Sequence, residues 1–175
     1  MGIYMNYFQL FNLPQAFDID IEKLLFQFYE LQKKYHPDAN YNSIKPENNN
    51  ILEKSIYINK AYQILKNPYK RAKYLLSLNL FHFKEEKNNL SDELFLNKQL
   101  KIYEQLEILK HHPERKSELN QLFDKIKYKK NYYLLKLELM FNKKKWKLAA
   151  ITLYKLLFYK KFKKVLKELI KKNKY

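Results

Sequence analysis

Two polar side chains flank a proline at His36-Pro37-Asp38, within LQKKYHPDAN, and no other residues in this chain are better placed to do chemistry. An imidazole and a carboxylate so close could hold a metal, serve a nucleophile, or hydrogen-bond another macromolecule. A metal needs further ligands. His111 and His112 are candidates, but adjacent histidines at a helix start point different ways, and no carboxylate stands at ligand spacing from them. A nucleophile is missing too. There is no cysteine, and Ser43, Ser55, Ser77, Ser91 and Ser117 have no partners in a recurring pattern. The chain therefore reads as a binding protein rather than an enzyme, with no metal and no cofactor.

The elements around the bend come from helical periodicity. One glycine and five prolines leave little room for strand hairpins, and apolar residues recur at helical spacing. The fold class is all-α. NYFQLF makes a short turn, closed by Asn12, Leu13 and Pro14. Asp20 is a good N-cap for a helix whose apolar residues, Ile21, Leu24, Leu25, Phe28, Leu31 and Tyr35, predict a single buried stripe. Lys33 and Lys34 fall off that stripe, and Pro37 ends the helix, because the residue before a proline is pushed out of the α region. A polar loop follows, ANYNSIKPENNN. Ile51, Ser55, Ile58, Tyr62 and Leu65 then form a stripe able to pack antiparallel against the first. Asn67 and Pro68 cap and open a further short helix.

Residues 1–78 thus read as a compact helical hairpin with short flanking helices, and 79–90 as a linker. Residues 91–175 read as three helices in an antiparallel bundle. In that bundle Ser91 is the expected cap of a helix reaching about Lys110. His112 and Pro113 are expected to open a second helix running to Phe141, and a third ends near Lys172.

Without cysteine, disulfides and thiolate zinc sites are excluded, and a reducing compartment is permitted. The N-terminus lacks a signal peptide's basic start and cleavage site, and no apolar run approaches the roughly 20 residues that span a bilayer. A cytoplasmic location is expected. The net charge of +17 is unevenly spread: residues 129–175 hold 16 lysines against two acids, a net of +14. A basic helix such as KKKWKLAAITLYKLLFYKK could bind nucleic acid or a membrane surface. Its apolar stripe, Trp146, Ala149, Ala150, Leu153, Leu156 and Leu157, is explained equally well by bundle packing. The only arginines are Arg71 and Arg115 against 33 lysines, as in a chain drifted toward AT-rich codons, whereas arginine is preferred for recognising bases and phosphates. Neither nucleic acid nor membrane is the expected partner.

The segments NYFQLFNLP, LLFQFYELQKKYHPD and INKAYQILKNPYKRAKYLL, in this order and spacing, resemble a J-domain, the module by which co-chaperones engage DnaK-type ATPases. With FNLP near the start, RAKYLLSLNLF at the end of the J-domain and three helices beyond, the chain resembles the HscB family of iron–sulfur cluster assembly. It has neither a Gly/Phe-rich linker nor a cysteine-rich zinc module, unlike a general-purpose DnaJ, and without the N-terminal cysteine-rich zinc element of some eukaryotic relatives it resembles the bacterial type. The resemblance implies that His36, Pro37 and Asp38 press on a specialised DnaK-type chaperone, HscA, and stimulate its ATP hydrolysis. Physically, Pro37 fixes the bend so that His36 and Asp38 project outward, and Asp38 can make a charge-assisted hydrogen bond to a basic group of the partner. Lys33 and Lys34 would steer an acidic surface toward the bend. Many J-domains continue from this tripeptide into a lysine; here Ala39 and Asn40 follow.

The resemblance also assigns client binding to the first helix of the C-terminal domain and an aromatic on the last. The client is the scaffold protein IscU. The matching positions are Leu96, Asn97, Leu100, Lys101, Glu104 and Phe158. Asn97 stands in place of an apolar residue and Lys101 in place of an acid, so the patch is less apolar and less acidic than usual. Helix geometry adds its own argument. At about 100° per residue, Phe95, Ile102, Leu106 and Leu109 form the core face, while Leu96, Leu100 and Glu104 gather on nearly the opposite one. Leucines outside the core stripe require another partner, either a client or the N-terminal domain. The alternatives are a J-protein for another client, or a basic helical binder of nucleic acid or a membrane surface.

Overall fold

The computed structural model describes residues 5–35, 48–81 and 92–172, with residues 48–50, the first three of the second stretch, described by backbone alone. Every element among them is a helix: α1 (Tyr7–Leu10), α2 (Ile21–Tyr35), α3 (Asn48–Leu65), α4 (Pro68–Leu78), α5 (Glu93–His111), α6 (Lys116–Asn142) and α7 (Trp146–Lys172). The chain divides into two compact units, Met1–Leu78 and Asn79–Tyr175.

In the first unit, Asn6 and Gln9 cap α1 reciprocally, each side chain accepting from the other's backbone N–H at 3.0 Å. Asn12 follows with φ of 49°, the left-handed turn that lets the Leu13 N–H return to the Phe8 carbonyl at 2.9 Å. Phe8, Phe11, Leu13, Phe17 and Ile19 all enter the core, so the segment before α2 packs as deeply as the helices. Asp20 accepts from the Lys23 N–H at 2.9 Å, the N-cap expected for α2. Asn67 accepts from the N–H groups of Tyr69 and Lys70 with Pro68 in the first turn of α4.

The buried stripe of α2 is narrower than the sequence predicts. Leu24 is buried, Phe28, Leu31 and Tyr35 are half-buried, and Ile21 and Leu25 are exposed. α2 rests on α3, with Phe28 stacked on Tyr62 at 4.0 Å between ring centroids. A contact centred on the line from Leu24 to Tyr35 leaves Ile21 and Leu25, turned about 60° and 100° aside, beyond the reach of that one neighbour.

Arg71 ties the unit together. Its buried guanidinium donates from Nε to the Phe17 carbonyl at 2.7 Å and from Nη1 to the Leu65 carbonyl, joining the loop before α2 to the end of α3.

In the second unit, α6 and α7 run antiparallel across a turn at Lys143–Lys145, in which Lys144 has φ of 52°. Aromatic pairs mark the register, Phe141 near Trp146 and Tyr133 stacked on Tyr159. The apolar stripe of α7 goes into this packing, with Ala149, Ala150, Leu153 and Leu156 buried and Trp146 and Leu157 half-buried. α5 completes the bundle through Phe95, Leu106 and Leu109, which share a core with Leu119, Leu122, Ile126, Tyr159, Phe162 and Leu166.

Two helix starts differ from expectation. The cap of α5 is Asp92, whose carboxylate accepts from the Phe95 N–H at 2.6 Å; Ser91 lies outside the described residues. His112 and Pro113 do not open α6. His111 is the last residue of α5 and His112 its C-cap, and α6 begins only at Lys116 after Arg115. The two histidines therefore stand at a helix end. His112 also has a carboxylate within reach, its Nδ1 lying 3.0 Å from Glu114 Oε1 in an exposed pair.

Candidate functional site

The C-terminal face is built by the two-sidedness of α5. Phe95, Leu106 and Leu109 are buried and Ile102 is half-buried, whereas Leu96 is 49% exposed and Leu100 57%. Glu104, Asn97 and Lys101 are exposed alongside. By helical rotation Lys101 is turned about 100° from Leu100, away from the side on which Tyr103 meets α7, so it stands at the margin of this surface. Phe158 of α7 is half-buried and meets Phe95 edge to face, with ring centroids 5.6 Å apart. Its other aromatic neighbours are Phe162 at 4.9 Å, Tyr159 at 5.2 Å and Tyr103 at 6.1 Å.

Tyr103 was not singled out by sequence. It is 41% exposed and also lies edge-on to Phe162 at 4.6 Å. Its position, seven residues after Leu96 and three after Leu100, puts it on the leucine face, where it bridges the leucines of α5 to Phe158. The spacing Leu96–Leu100–Tyr103 was a legible signal, since i, i+4, i+7 is one stripe. Together these side chains form a shallow apolar surface with an aromatic floor, suited to receiving apolar side chains of another protein.

Asp92 fixes the start of this face. Besides capping α5 it accepts from Lys155 Nζ of α7 at 2.9 Å, and that bond, with the Phe95 N–H, holds its carboxyl below the usual carboxylate range. Lys155 in turn sits 5.1 Å over the Phe95 ring.

The second candidate region is the end of α2. Lys33 and Lys34 are exposed, and Tyr35 closes the helix. The ammonium groups of Lys34 and of Lys54 on α3 each stand 5.4 Å from the Tyr35 ring centroid. His36, Pro37 and Asp38 follow directly and lie outside the described residues. No group of three or more metal-ligating side chains occurs among the described residues, and no described helix is long and apolar enough to cross a membrane.

Comparison with known proteins gives matches along both units. The DnaJ domain family matches residues 6–74, and the HSCB C-terminal oligomerisation domain family matches residues 91–167. The co-chaperone protein HscB of Buchnera aphidicola subsp. Acyrthosiphon pisum (strain Tuc7) is 44% identical over 164 residues, 94% of each chain. A co-chaperone protein HscB homolog of Vibrio vulnificus (strain YJ016) is 36% identical over 91% of this chain and 93% of its own. Among solved structures, the chaperone HscB from Vibrio cholerae superposes with a TM-score of 0.82 at 32% identity, covering 97% of this chain and 99% of that one. Human co-chaperone protein HscB shares the fold, with a TM-score of 0.83 at 23% identity over 95% of this chain and 83% of that one.

Proposed function

The chain belongs to the HscB family of J-domain co-chaperones, and we propose that it binds an iron–sulfur scaffold protein of the IscU type and delivers it to a specialised DnaK-type chaperone, HscA in type, whose ATP hydrolysis it stimulates. It would thereby aid maturation of iron–sulfur proteins, in the cytoplasm. The observation that carries this reading is the order of parts on one chain. A DnaJ domain is followed by the HscB C-terminal domain, whose first helix leaves Leu96 and Leu100 half out of the core. A family of co-chaperones supplies no chemistry of its own; ATP is cleaved on the partner.

In this reading the first unit drives the ATPase. His36 and Asp38, on the bend that Pro37 imposes, contact the chaperone, and the Asp38 carboxylate meets a basic group there. Lys33 and Lys34 raise the encounter rate with its acidic surface. The second unit holds the client through Leu96, Leu100 and Phe158, with Asn97, Glu104 and Lys101 around them. Apolar burial supplies the affinity and the polar rim its selectivity.

The test is ATP turnover of DnaK-type chaperones mixed with this protein and a candidate scaffold. Turnover should rise more with both additions than with the sum of each, and His36→Gln should abolish the rise while helicity and melting stay unchanged. A His36→Gln protein that stimulates normally, or a scaffold without effect on any tested chaperone, would overturn the reading.

A further inference from the structure

α6 carries a second apolar stripe that the bundle does not use. Tyr128, Tyr132, Leu135 and Leu139 follow i, i+4, i+7, i+11 spacing, which at about 100° per residue gathers them within about 60° of one another. They are 67%, 45%, 69% and 47% exposed. Ile126 and Leu137 lie on the opposite side of the same helix, with Leu122 and Met140 turned about 110° from the stripe, and all four are buried. A bundle helix ordinarily presents polar side chains there, and a contiguous apolar surface marks an interaction site.

The two edges of this stripe differ. Lys125, Lys129, Lys136 and Lys143 follow one edge, all exposed. Asp124, Asn131, Glu138 and Asn142 follow the other, with Lys127 as its one lysine, so the first edge carries four positive charges and the second a net of about one negative. The lysines are gathered onto the stripe. Lys129 Nζ stands 6.0 Å from the Tyr128 ring centroid and 5.9 Å from that of Tyr132, and Lys136 Nζ 5.9 Å from Tyr132. The Tyr132 ring in turn abuts Tyr133 at 5.1 Å, which stacks on buried Tyr159, so the stripe is anchored to the core.

We propose that this face of α6 docks a helix of an acidic partner protein, with apolar side chains on the stripe and carboxylates along the lysine edge. The one-sided charge selects this occupant. A uniformly anionic surface, whether bilayer or nucleic acid, would meet Asp124 and Glu138 on one edge as well as lysines on the other. Two copies paired antiparallel on α6 would set lysine edge against lysine edge, and paired in parallel would offer four lysines only Asp124 and Glu138, diluted by Lys127, a poorer match than an edge of carboxylates. Exposed tyrosines with few rotatable bonds are favoured anchors in protein interfaces.

The probe is a pair of stapled amphipathic helical peptides with the same leucine stripe, one edged with glutamate and the other with lysine, titrated by fluorescence anisotropy into the full chain. The glutamate-edged peptide should bind preferentially. Tyr132→Ser with Leu135→Ser should weaken it at least tenfold without loss of helicity or melting temperature. Lys129→Glu with Lys136→Glu should reverse the preference toward the lysine-edged peptide. The proposal falls if the two peptides bind alike or if the double serine variant binds as before. It also falls if that variant unfolds, which would make the stripe structural. Finally, it falls if the same residues instead control binding to phosphatidylglycerol vesicles or self-association in sedimentation.

Discussion

Phe95 and Phe158 meet edge to face at 5.6 Å across α5 and α7, and the residue after Phe95, Leu96, is turned about 100° away from it and half exposed. One turn of α5 therefore both closes the bundle and opens the face proposed to hold the client. Loss of a fully buried leucine costs roughly 1.5–3 kcal/mol, and about half of each of Leu96 and Leu100 remains to be buried by a partner. Leu96→Ala with Leu100→Ala should then weaken scaffold binding by on the order of ten- to hundredfold in calorimetric titration. Stimulation of the ATPase without scaffold should persist. Ile102→Ala is the contrast: it packs against the core and should lower stability by roughly 1–2 kcal/mol. A double leucine variant that melts as Ile102→Ala does would make these leucines structural.

Lys33 and Lys34 lie on the solvent side of α2, and exposed Lys34 stands over the half-buried Tyr35 ring. Replacing both with alanine should alter stability by no more than about 1 kcal/mol. Association with the chaperone, followed by stopped flow, should slow at low ionic strength and lose much of its salt dependence, because rim charges act on the encounter rate and are screened by salt. Unchanged rates at low salt would remove these lysines from the contact surface.

What could be read without coordinates depended on how far away the deciding partner lies. The two faces of α5 follow from period alone, and so do the caps at Asp20 and Asn67, whose partners are two or three residues on. The breadth of the α2 stripe did not follow, since it is set by how much of the helix α3 covers. Between Ser91 and Asp92 as cap, a deciding contact is Lys155, 63 residues further on. Pro113 resembled a first-turn proline, yet the chain makes one more turn before α6. At the site, the leucine face was legible and Tyr103 was overlooked, while the bend at His36-Pro37-Asp38 lies outside the described residues.

Arg71 illustrates the same limit and leads to a stability prediction. In the sequence it is one of two arginines; in the fold it bridges Phe17 and Leu65. Burial lowers its pKa, with nearby Asp18 opposing that shift, so its charge is retained against a desolvation cost by two carbonyls and one carboxylate. Arg71→Met keeps apolar bulk but removes this donor from both carbonyls, at roughly 1–3 kcal/mol for each lost hydrogen bond to the charged guanidinium. Thermal melting should show a loss of roughly 2–5 kcal/mol, with scaffold binding by the second unit preserved. A shift within a few tenths of a kcal/mol would show that water replaces the guanidinium there.

The second unit should carry an alkaline signature from Tyr159. Burial pushes its phenol up to about 12, and the neighbouring phenol of Tyr133 acts in the same direction. In the unfolded chain a tyrosine titrates near 10, so the folded state holds a proton that the unfolded state releases. The stabilising contribution is therefore complete below about pH 10 and is lost as pH rises from about 10 to about 12. Tyr159→Phe removes the titrating group and keeps the ring that stacks on Tyr133 at 5.4 Å. Denaturant midpoints of the two proteins should differ little at neutral pH. The gap should then shift steadily in favour of the phenylalanine variant above about pH 10, with the other tyrosines common to both. Parallel curves through that range would mean that the Tyr159 hydroxyl ionises as readily in the fold as outside it.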